Sequence, residues 1–256
     1  MKIMGILNVT PDSFSDGGKY IDIEKAIAHA KQMVADGADI IDVGGESTRP
    51  GATLISQEEE LMRVIPVIKE LSKIINVPIS IDTYKAEVAR QAIQAGATII
   101  NDIGGAKSDP DMPHIMAESG AQVILMHYAP HTEAGQIDAT DIHLQLKESI
   151  DLVTAAGVLQ DKIIIDPGIG FGKTMAQNMT LIQNIKDFKT LGYPVMLATS
   201  KKRAIRELAQ TADPDLLGIG TVATTCHAFI QGIDYVRVHH VKENKIAIQV
   251  MAALNP

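Results

Sequence analysis

Cysteine and aromatic residues are scarce in this sequence of 256 residues. The single cysteine, Cys226, excludes a disulfide framework and a cysteine-rich zinc site, and it is typical of a reducing compartment. No apolar run approaches the ~20 residues that a membrane-spanning helix needs. The apolar start of the chain is interrupted at Asn8, which is too early for a signal peptide. We therefore expect a cytoplasmic protein.

Positive charge is also in deficit, since 23 Lys and Arg residues face 31 Asp and Glu residues, a net charge of −8. Such a protein has no general attraction for nucleic acid or an anionic membrane surface, so an anion must bind at a local cluster of cations. A hydrophobic content of 46% excludes a disordered chain. No linker or charge block divides the sequence, and we expect one domain over residues 1–256.

Eight short, apolar, β-branched runs alternate with longer segments of helical periodicity, which predicts successive βα units on a parallel sheet. Eight units fit a closed (β/α)8 TIM barrel better than an open doubly wound sheet, and no G-x-G-x-x-G follows the first run. The predicted strands are 3–9, 39–43, 78–81, 98–100, 122–126, 162–165, 195–198 and 235–238. The predicted helices are 23–35, 57–75, 85–95, 112–119, 141–156, 175–191, 202–230 with a break at 211–214, and 244–254.

Polar residues follow all eight predicted strands. The carboxyl ends of barrel strands converge on one face, where the chemistry of such barrels lies. A single Asp or Asn at a strand end is usually a turn or helix cap, but eight polar ends together predict a binding site. They are Asn8, 44–49, Asp82, 101–102, His127, Asp166, 200–202 and 237–240.

These strand ends fall into two chemical groups. Two carboxylates, an amide and an ammonium group suit a flat heterocycle with both donors and acceptors, such as a pterin or a purine: Asp82, Asn101, Asp166 and Lys202. Cationic donors with an amide opposite suit a phosphate: Arg49, Arg237, His239 and Asn8. On the last strand His239 shares parity with Arg237, so we expect these two side chains on one face.

Two segments of the chain resemble the signature segments of the dihydropteroate synthases: residues 3–18, IMGILNVTPDSFSDGG, and residues 44–51, GGESTRPG. Later motifs of that family follow in the same order at 80–83, 101–102, 125–127, 166–173, 200–202 and 237–239. The resemblance extends from residue 3 to about residue 241 and identifies the chain as a member of this pterin-binding barrel family.

The resemblance implies a transferase of folate biosynthesis. Members of the family join p-aminobenzoate to the methylene carbon of 6-hydroxymethyl-7,8-dihydropterin pyrophosphate, releasing pyrophosphate and giving 7,8-dihydropteroate, and Mg²⁺ assists departure of the pyrophosphate. The partners are then small molecules rather than nucleic acid or a membrane. The long seventh helical region offers surface for a homodimer contact.

The resemblance also implies roles for individual residues. The expected pterin site is Asp82, Asn101, Met126, Asp166, Phe171, Lys202 and Arg237, and the catalytic groups among these are Asp82, Lys202 and Arg237. The expected pyrophosphate site is Asn8, Arg49, Arg237 and His239, with Asn8 binding the magnesium ion. The expected p-aminobenzoate site is Phe14, Thr48, Pro50 and Ser200.

The sequence departs from the family pattern in three places, two of which, Lys201 and His240, suggest one of the two alternatives that stay open. Lys201 stands where the family has Arg, and His240 stands where Asp or Asn is common. Segment 128–140 lacks the sequence motif that the family usually has there. One alternative is a pterin-binding paralogue without turnover, and pterin pyrophosphate binding with no detectable reaction would identify it. The other is a methyltetrahydrofolate-dependent methyltransferase barrel, and methyl transfer from methyltetrahydrofolate would identify it.

Overall fold

Eight parallel strands form one sheet in the computed structural model, which describes residues 1–9, 19–47, 53–128 and 139–255. The strands alternate with helices along the chain, as the eight apolar runs predicted. The strands are β1 Lys2–Asn8, β2 Ile40–Gly44, β3 Ile79–Asp82, β4 Ile99–Asp102, β5 Gln122–Met126, β6 Ile163–Asp166, β7 Met196–Leu197 and β8 Tyr235–Val238. The α-helices are α1 Lys19–Ala35, α2 Gln57–Ile74, α3 Ala86–Ala95, α4 Met112–Ser119, α5 Ala139–Ala156, α6 Met175–Gln183, α7 Arg203–Ala209, α8 Pro214–Ile230 and α9 Val241–Leu254.

The sheet curls until its two edges meet. Its strand order is β6-β5-β4-β3-β2-β1-β8-β7, so β6 and β7 are the edges. A parallel bridge joins Ile165 to Val195, and the Ile165 backbone N–H donates to the Pro194 carbonyl at 2.9 Å. The predicted (β/α)8 barrel is therefore confirmed, whereas the prediction that residues 1–256 form a single domain stays a prediction.

The interior of the barrel is apolar at one level and polar at the next. One buried apolar cluster fills the interior with side chains from seven strands: Met4, Ile40, Ile99, Ile124, Ile164, Met196 and Tyr235. Because alternate residues of a strand share a face, the residues two positions further on also point inward, nearer the carboxyl ends. Four of them are polar: Asp42, Asn101, Asp166 and Arg237. We call this end of the barrel, at the carboxyl ends of the eight strands, the barrel mouth.

Several predicted boundaries are wrong in detail. The predicted helix 175–191 ends at Gln183, and a 3₁₀ helix follows over Ile185–Leu191. The last helix begins at Val241 rather than at 244, and β7 is shorter than the predicted strand 195–198. Ser56 caps α2 by accepting from the Glu59 backbone N–H, but the Glu59 carboxylate pairs with Arg63 instead of completing a capping box.

The predicted break in the seventh helical region is present, since α7 ends at Ala209 and α8 begins at Pro214. Asp213 caps α8 by accepting from the Asp215 backbone N–H at 2.9 Å. No helix in the described part of the chain is long and apolar enough to cross a membrane.

Candidate active site

A buried carboxylate, Asp42 on β2, joins three strands at the barrel mouth. Its Oδ2 accepts from Arg237 Nε on β8 at 2.6 Å and from Asn101 Nδ2 on β4 at 3.2 Å. Arg237 also donates through Nη2 to Asp82 Oδ2 on β3, again at 2.6 Å. Asp42 is fully buried, and the Arg237 side chain is 15% exposed. Asp42, which was not among the predicted residues, therefore links two predicted pterin residues, Asn101 and Arg237, and Arg237 in turn binds a third, Asp82.

The Asp82 carboxyl has a strongly shifted pKa. Burial raises the pKa of Asp82 to about 7, against the lowering influence of Arg237; the charges of Asp42 and Glu60 raise it further. Burial lowers the pKa of the Arg237 guanidinium, but the two carboxylates beside it outweigh burial and raise it overall. Asp82 is consequently a carboxyl group at the mouth whose pKa lies well above its ordinary value.

Asp166 and Lys202 lie on the opposite side of the mouth. Asp166 Oδ1 accepts from the Gly168 backbone N–H at 2.7 Å, and Lys202 Nζ donates to the Ile169 carbonyl at 2.7 Å. Burial raises the pKa of Asp166 and lowers that of Lys202 to about 8, while the attraction between these two charges acts against both shifts. Lys202 Nζ lies 4.6 Å from the centre of the Phe171 ring. These contacts bring three predicted pterin residues together around the turn after β6.

The turn after β6 needs glycine at its start. Gly168 has φ +72°, and a Cβ there would lie 1.9 Å from the His127 carbonyl oxygen. The Lys173 ammonium holds the turn by donating to the carbonyls of Gly168 at 2.8 Å, Phe171 at 3.1 Å and His127 at 3.3 Å. Burial lowers the pKa of Lys173 to about 7. The turn is thus built to hold Phe171 beside Lys202.

His127, the polar residue that follows β5, contacts a side chain of α5. Its Nε2 lies 3.1 Å from Gln145 Oε1, and burial lowers the pKa of His127 to about 3. The ring is therefore neutral at physiological pH.

Ser200 and His239 are neighbours, although the sequence-based prediction placed them at different substrates. The His239 backbone N–H donates to Ser200 Oγ at 3.1 Å, and Ser200 Oγ lies 2.8 Å from His239 Nδ1. Lys201, between Ser200 and Lys202, adopts the left-handed conformation at φ +56°. The expected pyrophosphate and p-aminobenzoate contacts thus meet between β7 and β8.

Asn8 ends β1 directly beside Gly44 of β2. A Cβ on Gly44 would lie 3.8 Å from Asn8 Oδ1 and 3.6 Å from Asp82 Oδ2. Glycine at this position therefore leaves open space between Asn8, a predicted pyrophosphate residue, and Asp82, a predicted pterin residue.

Glu46, the carboxylate of the GGESTRPG segment, is turned away from the barrel interior. Its Oε2 accepts from Lys85 Nζ at 2.6 Å and its Oε1 from Tyr84 at 3.0 Å. Lys85 Nζ also donates to Glu60 of α2 at 2.5 Å. The side chain of Glu46 is 5% exposed, that of Lys85 is 14% exposed and that of Glu60 is 1% exposed. This buried ion triad ties the end of β2 to α2 and to the residue before α3.

The structure therefore describes most of the predicted site residues. Met126 is buried two positions beyond Ile124 on the inward face of β5. Four predicted residues lie outside the described residues: Phe14, Thr48, Arg49 and Pro50. Asp42 was the residue that sequence reasoning missed, although a charged residue between Ile41 and Val43 in an apolar strand was an available signal.

Known proteins that resemble this chain match it over nearly its whole length. The family described as pterin binding enzyme matches residues 4–239. The dihydropteroate synthase of Bacillus subtilis (strain 168) is 50% identical over 252 residues, 98% of this chain and 88% of that protein. That of Clostridium beijerinckii is 51% identical over 249 residues, 97% of this chain and 92% of that protein.

A solved structure agrees with these relatives. The dihydropteroate synthase of Xanthomonas albilineans, determined with 4-aminobenzoic acid, superposes with a TM-score of 0.94 at 42% identity. The superposition covers 99% of this chain and 92% of that one. The chain therefore belongs to the pterin-binding enzymes, and among them to the dihydropteroate synthases, the transferases of folate biosynthesis.

Proposed function

We propose that the barrel mouth binds 6-hydroxymethyl-7,8-dihydropterin pyrophosphate and p-aminobenzoate and joins them into 7,8-dihydropteroate with release of pyrophosphate. The observation that carries this proposal is the set of buried polar groups around one end of the barrel, on the inward faces of β2, β3, β4, β6 and β8. The Xanthomonas albilineans relative, determined with 4-aminobenzoic acid, supports the choice of the amine.

The pterin recognition that we propose matches donors to acceptors. Asp166 and Asn101 offer oxygen atoms to ring N–H groups, and the Lys202 ammonium offers N–H groups to the pterin carbonyl. Asp166 and Asn101 are buried and Lys202 is partly buried, so an unmatched ligand would leave polar groups without partners, which costs about 1–3 kcal/mol for each buried group. Phe171 and Met126 supply apolar surface for the ring.

The reaction develops positive charge on one carbon and negative charge on the leaving pyrophosphate, and the barrel mouth has side chains that can stabilise each of them. As the carbon–oxygen bond to pyrophosphate breaks, positive charge develops on the methylene carbon, which the Asp82 carboxylate stabilises. Arg237 and His239 stabilise the departing pyrophosphate. The amine of p-aminobenzoate is already a nucleophile, so attack requires no Ser-His-Asp arrangement and no reactive cysteine.

Magnesium fits this chain as an ion bound together with the substrate. Among the described residues no group of three or more His, Cys, Asp or Glu side chains is arranged to hold a metal. Asn8 offers one side-chain oxygen at the end of β1. Mg²⁺ commonly takes one or two protein oxygens, substrate phosphates and water, so Asn8 and the pyrophosphate would hold it. When bound, the ion neutralises negative charge on the leaving group.

We also propose that the protein is a cytoplasmic homodimer. The helices α8 and α9 expose large apolar side chains that a second copy of the chain would cover: Ile219, Ile230, Ile246, Val250 and Leu254. The single cysteine supports a reducing compartment.

The function is tested by measuring pyrophosphate release. We expect release only when dihydropterin pyrophosphate, p-aminobenzoate and Mg²⁺ are all present, because the amine must attack the activated carbon. Omission of each component is the control. Calorimetric binding of the pterin without turnover would instead indicate a pterin-binding paralogue, and methyl transfer from methyltetrahydrofolate would indicate a methyltransferase.

The pH dependence of kcat/KM is expected to be bell-shaped. Asp82, with its pKa raised to about 7, stabilises the cation only after losing its proton, so activity rises through that pH. Lys202, with its pKa lowered to about 8, loses its positive charge above that pH and then donates only weaker, uncharged hydrogen bonds to the pterin, so activity falls. Steady-state rates between about pH 5 and about pH 10 measure both limbs.

Replacing Lys202 with Arg is the control for the alkaline limb, because Arg stays protonated across this range. The alkaline limb is then expected to disappear while the acid limb remains. An unchanged alkaline limb in Lys202→Arg would show that another group is responsible.

Replacing Arg49 with Ala is expected to raise KM for dihydropterin pyrophosphate about 10-fold or more, because a charge-assisted hydrogen bond to phosphate contributes about 1.5–3 kcal/mol. Binding of the same pterin without pyrophosphate should be unchanged. Arg203→Ala is the matched control, since Arg203 is exposed on α7 and pairs with Glu207. Wild-type kinetics in Arg49→Ala would contradict a role for Arg49 in pyrophosphate binding.

A further inference from the structure

Asp42, like Asp82 beside it, has a buried carboxylate oxygen without a hydrogen-bond partner among the described residues. Its Oδ2 accepts the two hydrogen bonds from Arg237 and Asn101, whereas its Oδ1 has no hydrogen-bond partner among the described residues. A buried carboxylate with one unsatisfied oxygen is a poor way to stabilise a fold, since an apolar side chain would pack there without the desolvation cost. Asp42 is also 0% exposed, so it is covered by the groups that face the mouth.

The bond to Asn101 determines which atom of that amide faces a ligand. An ionised carboxylate only accepts hydrogen bonds, so the NH₂ group of Asn101 must be the part that faces Asp42. The Asn101 carbonyl oxygen then points away from Asp42. Were the amide reversed, two oxygen atoms would face each other at 3.2 Å and the NH₂ group would face the ligand.

The bonds to Arg237 fix the plane of its guanidinium. Asp42 on β2 holds Nε and Asp82 on β3 holds Nη2, each at 2.6 Å, although Arg237 itself starts from β8. The side chain thus spans β1, which lies between β8 and β2 in the sheet. Two anchored N–H groups on a planar fork leave little freedom of rotation.

We propose that Asp42 is a positioning residue for dihydropteroate synthesis, which orients the Asn101 amide so that its oxygen accepts from a pterin N–H group and fixes the Arg237 guanidinium between β2 and β3. This inference rests on the proposed function, because it names the substrate group that Asn101 receives. Asp42 acts through its two neighbours and does not touch the substrate.

Replacing Asp42 with Leu tests the orientation. Both hydrogen bonds end on Oδ2, and a Leu side chain has no atom that can accept them. The Asn101 amide can then reverse and present a donor to a pterin donor. We expect the calorimetric Kd of dihydropterin pyrophosphate to rise about 10-fold, in line with one unsatisfied buried group, while KM for p-aminobenzoate changes less than about 2-fold.

A conservative substitution at the same position should preserve the affinity. In Asp42→Asn the amide oxygen can take the place of Oδ2 and accept both hydrogen bonds, while the NH₂ group takes the place of Oδ1, which has no partner among the described residues. We expect Asp42→Asn to keep most of the affinity that Asp42→Leu loses. A residue that only fills space would show no such difference between Leu and Asn.

The pH profile gives a readout that a purely structural role would not move. Asp82 is faced by Arg237 of β8, Asp42 of β2, Glu60 of α2 and Lys202 after β7, and the Asp42 charge raises the pKa of Asp82. Removing that charge in Asp42→Asn should move the acid limb of kcat/KM to lower pH.

The matched control is Asp39→Asn. Asp39 immediately precedes β2, and its carboxylate accepts from the Ile3 backbone N–H at 2.8 Å, at the end of the barrel opposite the mouth. Asp39→Asn should keep wild-type Kd and pH profile. Wild-type pterin affinity in a folded Asp42→Leu, or an Asp42→Asn variant that binds no better than Asp42→Leu, would overturn the inference. Turnover by the wild-type enzyme tests the proposed function separately, so the two failures are distinguishable.

Discussion

Replacing Asp166 with Ala is expected to abolish measurable binding of dihydropterin pyrophosphate. Asp166 is buried at the end of β6. In the proposed function its carboxylate accepts from a pair of pterin N–H groups. Each N–H group that loses its acceptor in a buried slot costs about 1–3 kcal/mol, so two together weaken binding about 100-fold or more. Isothermal titration calorimetry of the wild type and the variant measures the change.

Asp166→Asn separates the substrate contact from the local fold. Asp166 Oδ1 also accepts from the Gly168 backbone N–H at 2.7 Å, and an Asn side chain can keep that bond. The charge and one acceptor oxygen are lost, so pterin affinity should still fall, by about 10-fold or more. Unchanged pterin affinity in a folded Asp166→Asn protein would refute the role of Asp166.

Replacing Lys85 with Met is expected to lower the free energy of unfolding by about 3–5 kcal/mol. Lys85 is the cation that Glu46 and Glu60 share, at 2.6 Å and 2.5 Å, and both carboxylates are buried. Its removal leaves two like charges close together without a counter-charge. The midpoint and slope of urea denaturation, followed by circular dichroism, give the change in unfolding free energy.

Lys147→Met is the matched control, because Lys147 pairs with Asp151 one helical turn away on the exposed face of α5. An exposed pair of this kind contributes about 0–1 kcal/mol. Adding Glu46→Gln and Glu60→Gln to Lys85→Met should recover much of the loss, since no unpaired charge then remains. A loss below about 1 kcal/mol in Lys85→Met would show that the triad is not a buried ion cluster.

The barrel and the general location of its site could be predicted because both depend on local patterns. Apolar runs alternate with helical periodicity, and the two-residue period of a strand places Asn101 and Asp166 inward beyond Ile99 and Ile164. A parallel sheet then brings the ends of distant strands to one face. Helix ends were less predictable, since the break after Gln183 depends on a 3₁₀ turn that replaces the last helical turns.

The roles of two acidic residues could not be predicted because they depend on tertiary contacts. Asp42 lies inside an apolar strand, and only the approach of Arg237, 195 residues later, explains its charge. Glu46 belongs to the same motif as Arg49, yet its side-chain partners are Lys85 and Tyr84. The sequence places a carboxylate near the mouth but does not show toward which neighbour it turns.

A crystal structure of this protein with a dihydropterin bound tests the central claim most directly. We predict the pterin in the barrel mouth, with its N–H groups within hydrogen-bond distance of Asp166 and of the Asn101 carbonyl oxygen, and its carbonyl near Lys202. A pterin bound elsewhere on the protein, or in the mouth without contact to Asp166 and Asn101, would contradict the account.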